Sequence, residues 1–336
     1  MIIRSRAPLR ISFSGGGTDI EPYLSERGGV VLSSTINHYV HGSLTPDNAQ
    51  EIRIQSLDYD TIVKYRRHDN PPRQAQLALV QAVVNRLHIP PQGFSLLLHS
   101  DAPPGSGLGS SSAMVVMILG LFRQWLGLLL NDQALAELAY EIERHDMQIV
   151  GGKQDQFAAA FGGFNLIEFT REGTFVTPLR LGTATLNELE CNLLFCFTGN
   201  THPEGEILKA QIASYTDRGQ ESYASLDRLK EITQAMKRAL LAGRVMSFGE
   251  LLHEAWLCKR TLAKGISNER IERLYNLARG KGALGGKILG AGGGGYLLLF
   301  TPFHKCPKVA AALEEAGAHI VPFSFVHHGL QTWRVL

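Results

Sequence analysis

The segment Pro103-Pro104-Gly105-Ser106-Gly107-Leu108-Gly109-Ser110-Ser111-Ser112 carries the strongest chemical signal in the chain. Glycine lets backbone N–H groups come close to an anion. The first turn of a helix adds unpaired donors and a partial positive charge. Three glycines and four serines between Gly105 and Ser112 exceed what a serine helix cap requires. Pro104 to Ser112 therefore reads as a phosphate cradle, with hydroxyls available to phosphate oxygens or a metal. Other phosphate patterns fit poorly. No lysine follows the glycines as in a Walker loop, and Ser110 stands where a dinucleotide fingerprint needs glycine. The protein-kinase signatures and the G-x-S-x-G elbow are absent.

The elements around this segment have the order such a cradle needs. Phe94–His99 reads as an apolar strand running into the loop, and Ala113–Leu130 as an apolar helix leaving it. Upstream, Ala7–Phe13 is strand-like and Ser14–Thr18 is a glycine turn. Val30–Ile36 and Tyr39–Leu44 form a paired strand set, and Glu51–Ser56 alternates as another strand. Arg73–Leu87 has helical spacing. Downstream, Asp132–Ile149 reads as one helix capped by Asn131 or Asp132. Gly151–Gly163 holds a short helix, and Phe164–Phe169 with Phe175–Leu179 a hairpin. Cys191–Phe197 starts a second half with helices over Ser222–Leu241, Val245–Cys258 and Asn268–Gly280. A second glycine run, Gly290–Gly295, enters the strand Tyr296–Phe300, and the helix Pro307–Ala316 and strand His319–Phe325 close the chain. Strands and helices mix without strict alternation, which predicts an α+β class with a boundary near residue 185.

Composition removes several function classes. Among 336 residues, 33 basic and 31 acidic side chains leave a net charge of +2, so no global field points to nucleic acid or an acidic membrane. Four cysteines without a C-x-x-C pair do not make a disulfide framework, and a reducing cytoplasmic compartment is the simplest reading. The apolar run at the start is too short for a signal peptide. Arg123 and Gln124 interrupt the most hydrophobic window, which suits a core helix better than a membrane span. His38 and His41 point to opposite faces of a strand, and the other histidines lack ligand spacing. Oligomeric state is open, a homo-oligomer included.

Three segments together resemble a known family. PPGSGLGSSSA (103–113) is similar to the central motif of the GHMP kinases, APLRISFSGGGTD (7–19) to the first, and KILGAGGGG (287–295) to the third. They stand in the expected order and span nearly the whole chain. With GGKQDQFAAAFGGFN (151–165), the pattern is most similar to kinases of heptose 7-phosphate. The resemblance implies a two-domain α+β fold. A ribosomal S5 domain 2-like N-terminal domain takes residues 1–185, and a GHMP C-terminal domain takes 186–336. It implies ATP and Mg²⁺, and a sugar phosphate as acceptor. Kinases of fucose- or galactose-type sugars, or a silent nucleotide sensor, are the alternatives.

The resemblance also implies roles. Ser111 and Glu143 match the Mg²⁺ ligands, with Glu141 an alternative to Glu143. Asp155 matches the base that takes the acceptor proton, although its position also suits a helix cap. Lys153 stands where it could steady Asp155 or meet a substrate phosphate. Arg10 matches a fixed positive charge beside the base. Gly15, Gly16, Gly17, Thr18 and Asp19 resemble the sugar-binding turn. Galactokinases carry a Glu-His pair where Gly16 and Gly17 stand, and its loss is expected to open space for a larger or phosphorylated sugar. Gly292 and Gly293 are placed beside substrate or nucleotide, or packed against the phosphate loop. The stretch 56–60 is assigned to the base pocket on the same ground.

Overall fold

The computed structural model describes residues 1–47, 50–66, 75–87, 89, 92–201, 204–217 and 219–335. The first half of the chain contributes strands β1 (Ile2–Ser14), β2 (Gly29–Asp47), β3 (Glu51–Ser56), β4 (Thr61–Arg66), β5 (Gly93–Ser100), β6 (Phe164–Thr170) and β7 (Gly173–Pro178). Its helices are α1 (Tyr23–Arg27), α2 (Ala75–Arg86), α3 (Ser110–Leu126), α4 (Asp132–Glu141) and α5 (Gln154–Phe161). The second half adds α6 (Thr183–Cys191), β8 (Leu193–Phe197), α7 (Glu204–Asp217), α8 (Gly219–Leu241), α9 (Val245–Lys259), α10 (Glu269–Lys281), β9 (Gly285–Ile288), β10 (Tyr296–Phe300), α11 (Cys306–Glu315), β11 (His319–Ile320), β12 (Phe325–Val326) and β13 (Gln331–Val335). The mixture is α+β.

Two sheets organise these elements. The larger runs β13-β1-β2-β5-β3-β4, with β6 and β12 also on β2, and β7 on β6. The smaller runs β11-β8-β10-β9. Among the described residues, pairing is antiparallel except between β3 and β5, which are parallel. Helix α3 lies against β1 and β2. From Val115 to Phe122 it is buried on every side, as an apolar helix inside a core must be. It is the apolar window noted above, and among the described residues no helix is long and apolar enough to cross a membrane.

Differences from the expected elements have local causes. The two strands expected over Val30–Leu44 are one strand, because β1 stays paired on both sides of a bulge. Pro8 faces Tyr39 and Leu9 faces Ile36, so Asn37 and His38 are the extra residues. The helix expected over Asp132–Ile149 ends at Glu141 and continues as a π-helical turn, Ile142–Asp146. Asn131 caps α4 by accepting from the Ala134 N–H at 2.8 Å. Arg73, at the start of the expected helix, lies outside the described residues. His319–Phe325 splits into β11 and β12 in different sheets, with Pro322, which lacks an N–H donor, between them. The boundary expected at residue 185 falls inside α6. The chain's last strands return to the larger sheet, β12 on β2 and β13 on β1.

An aromatic cluster joins the two halves. The Phe13 ring on β1 stacks on Phe164 at 5.6 Å and meets Phe248 of α9 edge-on at 5.3 Å. Phe248 in turn lies 6.5 Å from Phe300 of the smaller sheet. Such pairs combine apolar burial with a preferred ring geometry, so they fix how the halves meet. The glycine turn after β1 sits beside this joint and opens into a cavity between the halves.

Candidate active site

The cavity measures about 300 Å³. One wall is formed by Gly105 and Gly109 of the loop 103–109 with the start of α3, Ser110 to Ser112. Gly105, Gly107 and Gly109 adopt φ of 71°, 82° and 72°, a conformation that glycine takes without strain. Gly109 is the N-cap of α3, and no side chain caps the helix. The serines are therefore not spent on capping. Ser110 and Ser111 line the cavity, and Ser106 is buried with no hydrogen-bond partner for its hydroxyl among the described residues. Pro104 is exposed, and Leu108 is buried beneath the loop. A row of backbone donors at a helix start suits an anion.

Asp155 stands in the first turn of α5, whose N-cap is Lys153, so the carboxylate is not a cap. A Cβ on Gly109 would come 3.0 Å from the Asp155 carboxyl carbon, so carboxylate and loop are in contact. Arg10 fixes both. Its Nε donates to Asp155 Oδ1 at 2.7 Å, its Nη1 donates to the Gly107 carbonyl, and its own carboxylate partner is only 18% exposed. The Arg10 N–H also donates to the Leu108 carbonyl at 3.1 Å. One buried guanidinium thus ties the Asp155 carboxylate, the first strand and the loop together. Lys153 lies elsewhere: its Nζ is 4.7 Å from the centre of the Tyr140 ring, and it does not line the cavity.

Glu143 lies in the π-helical turn and is 1% exposed. Insertions of this kind re-aim side chains and cluster at functional sites. Here the turn brings Glu143 to the cavity, while Glu141 pairs with Arg86 outside it. Glu143 accepts from the Ser111 hydroxyl at 3.1 Å and, on its other oxygen, from the Gln156 amide. Gln156 also donates to Ser112 at 3.0 Å. A carboxylate and a hydroxyl side by side, with phosphate donors adjacent, suit Mg²⁺, which takes few protein oxygens and keeps water and phosphate.

The turn after β1 forms the opposite wall. Gly16, Gly17 and Asp19 line the cavity. Gly15 and Thr18 do not. Gly15 packs against the backbone of Val30, and the Thr18 hydroxyl donates to the Gly15 carbonyl at 2.7 Å, so both shape the turn. Asp19 is 1% exposed and accepts from Gly17 N–H at 3.0 Å and from Gln154 N–H at 3.1 Å. The space expected at Gly16 and Gly17 exists only at Gly16. A Cβ on Gly17 would meet the Gln211 amide at 2.6 Å and the Tyr215 hydroxyl at 3.1 Å, because α7 fills that side. Of the third glycine motif, Gly290 and Ala291 line the cavity. Gly292 and Gly293 are turned away: the Gly293 N–H donates to the Ile266 carbonyl at 3.0 Å, and its carbonyl accepts from Asn268 at 2.8 Å.

Several lining residues had no role assigned from the sequence. Arg144 donates to the Gly152 carbonyl at 3.0 Å. Lys259 and Lys287 line the cavity at 5% and 4% exposure. Burial pushes Lys259 down to about 8, further lowered by Arg10 and opposed by Asp19. Burial pushes Lys287 well below the usual lysine range, with Lys259 and Arg10 adding to it. Lys259 had a legible signal. It falls on the buried stripe of α9, after Phe248, Leu252 and Ala255, where a charge is out of place. On the far side of the phosphate loop a second cavity of about 350 Å³ shares Gly105, Ser110 and Ser111. It is closed by Ser56, Asp58, Tyr59, Leu79 and Met114.

Residues 77–163 match the model of the GHMP kinases N terminal domain, and residues 236–319 that of the GHMP kinases C terminal. Over 99% of both chains, the sequence is 36% identical to the D-glycero-alpha-D-manno-heptose 7-phosphate kinase of Campylobacter jejuni. The chain belongs to the GHMP kinases. Among solved structures, this GHMP kinase superposes with a TM-score of 0.84 on a D-glycero-D-manno-heptose 1-phosphate kinase from Bacteriodes thetaiotaomicron, at 32% identity over 99% of both chains. A putative sugar kinase from Campylobacter jejuni gives 0.81 at 34% identity, covering 99% of this chain and 98% of the other.

Proposed function

We propose that this GHMP kinase transfers the γ-phosphoryl group of ATP to the anomeric oxygen of D-glycero-D-manno-heptose 7-phosphate. The product is the 1,7-bisphosphate, a precursor of nucleotide-activated heptose for surface glycan. The contact of Asp155 with both Arg10 and the glycine-serine loop supports the reading, since it sets a carboxylate against the segment that would hold the triphosphate. Identity of 36% along the full length of a heptose 7-phosphate kinase supports the acceptor.

In this mechanism the loop from Pro104 to Ser112 holds the triphosphate through its backbone donors, and the cavity past Ser56, Asp58 and Tyr59 takes the base. Ser111 and Glu143 would hold Mg²⁺, which supplies charge neutralisation at the phosphates. The acceptor lies between Asp155 and the Gly16–Asp19 turn. Asp155 takes the proton of the acceptor hydroxyl as the oxygen–phosphorus bond forms and the bond to ADP breaks. An anomeric hydroxyl is more acidic than an ordinary alcohol, so a carboxylate is base enough. Arg10 holds the carboxylate in line and offers fixed positive charge to the transfer. Residues 1–185 then supply the loop, base and metal ligands, and residues 186–336 close the cavity from the other side.

The test is a panel of free and phosphorylated sugars assayed for ADP release, with the new phosphate located by phosphorus NMR. The reading expects turnover of heptose 7-phosphate with a phosphate appearing at C1. Turnover confined to unphosphorylated hexoses or fucose would overturn it.

A further inference from the structure

Three polar groups at the floor of the cavity have no role in the mechanism above. The Lys287 ammonium donates to the Ser12 carbonyl at 2.7 Å, from β9 across to β1. Lys259, at the end of α9, donates to the Gly16 carbonyl at 3.3 Å and to Gln211 Oε1 at 3.2 Å. The Ser12 hydroxyl is buried, lines the same cavity, and has no hydrogen-bond partner among the described residues. These groups are neighbours. A Cβ on Gly16 would lie 3.6 Å from the Ser12 hydroxyl, and Lys259 holds the carbonyl of that glycine.

The charges there are unbalanced. Neither ammonium has a carboxylate at salt-bridge distance among the described residues. Asp155 is taken by Arg10, and Glu143 by Ser111 and Gln156. Asp19, the nearest remaining acid, spends its oxygens on Gly17 and Gln154. Backbone carbonyls satisfy some ammonium protons but do not neutralise charge, and a buried unpaired cation is costly. The depressed proton affinities of both lysines follow from the same placement. An arrangement of two desolvated ammonium groups and an unused hydroxyl donor is complete only with an anion between them.

We propose that Lys259, Lys287 and Ser12 form a subsite for the phosphate monoester that the acceptor already carries, the one that is not transferred. The inference rests on the acceptor reading above and deepens it. The phosphate loop serves the donor, and this second cluster selects an acceptor that is itself phosphorylated. It also accounts for the glycine at position 17. Gln211 and Tyr215 occupy that space, and Gln211 orients the Lys259 ammonium.

The full chain, saturated with a non-hydrolysable ATP analogue so that the triphosphate position of the loop is filled, is titrated with inorganic phosphate while its melting temperature is followed. Phosphate should raise the melting temperature of the wild type and leave Lys259→Met and Lys287→Met unmoved. Equal rises in all three overturn the subsite. In kinetics, Lys259→Met should raise KM for heptose 7-phosphate about 30-fold, as loss of a charge-assisted hydrogen bond does. KM for ATP and the rate with unphosphorylated heptose should change little, and Lys259→Arg should restore part of the loss. An equal loss with both sugars means that Lys259 only shapes the turn, and the proposal falls. Should Lys259→Met fail to bind ADP, Ser12→Ala replaces it, with a smaller rise in the same KM expected and an unchanged KM overturning the idea. A wild type inactive on heptose 7-phosphate refutes the acceptor, while the phosphate titration still decides the subsite.

Discussion

The two walls of the cavity handle negative charge by different physics. The donor wall is lined by Gly105, Gly109 and Ser110 to Ser112, within a run of ten residues, 103–112, that holds no formal charge. The acceptor wall draws Lys259 from α9 and Lys287 from β9 onto carbonyls of the first strand and its turn. Backbone dipoles are neutral, so the empty donor wall pays no desolvation penalty for charge. Buried ammonium groups hold theirs in readiness and destabilise the empty site until an anion arrives. The difference teaches where discrimination belongs. A nest of dipoles accepts any well-shaped polyphosphate, whereas desolvated cations at fixed points reject a sugar that brings no charge.

Substitutions can break this contrast in order of size. The largest effect is expected from Asp155→Asn, which removes the carboxylate proposed as the base between the walls. kcat should fall about 10³-fold while ADP still binds, read by steady-state assay and nucleotide titration. Next come two glycine substitutions. Gly109→Ala pushes a methyl into Asp155 at the donor wall, and Gly17→Ala pushes one into Gln211 at the acceptor wall. Each should cost about 10²-fold in kcat/KM, as small misplacements at a reacting centre do. Gly109→Ala should raise KM for ATP, and Gly17→Ala KM for the sugar. If both raise the same KM, the walls are not separate.

Glu143→Gln should come after these. It removes the buried carboxylate beside Ser111 and should raise the Mg²⁺ concentration for half-maximal activity at least about tenfold, as measured by metal titration. The mildest test is pH. Lys259 loses its proton near 8 in the folded chain, but only near the ordinary lysine value when unfolded. Between those values the unfolded chain binds more protons, so the contribution of this group to stability rises with pH across that window. Acceptor binding runs the other way, because the charged form holds the phosphate. KM for the sugar phosphate should rise up to about tenfold from pH 7 to pH 9 with KM for ATP flat, and Lys259→Met should flatten the slope, leaving what Lys287 contributes.

Local pattern carried far along this chain. The apolar helix α3, a cap at Asn131 or Asp132 and the helix from Val245 are signals read within a dozen residues: α3 runs Ser110–Leu126 rather than Ala113–Leu130, Asn131 is the cap, and the third helix starts at Val245 as expected. Where the expectation failed, a distant partner decided. The strand β2 is continuous because β1 stays paired across a bulge, and β13 exists because β1 has an edge to offer. The π-helical turn at Ile142 is invisible in helical periodicity, yet it turns Glu143 inward.

The same division runs through the site. Spacing alone pointed to the glycine-serine loop at the start of α3, since positive φ at alternating glycines and a helix start are properties of neighbouring residues. Tertiary structure decided that Arg10 rather than Lys153 holds Asp155, that Gly292 and Gly293 turn away from the cavity, and that Lys259 reaches a carbonyl 243 residues distant. A charged side chain at the end of a helix reads the same in sequence whether it meets water or a buried carbonyl. Only the packing of α9 beneath the glycine turn removes the water and gives that charge its work.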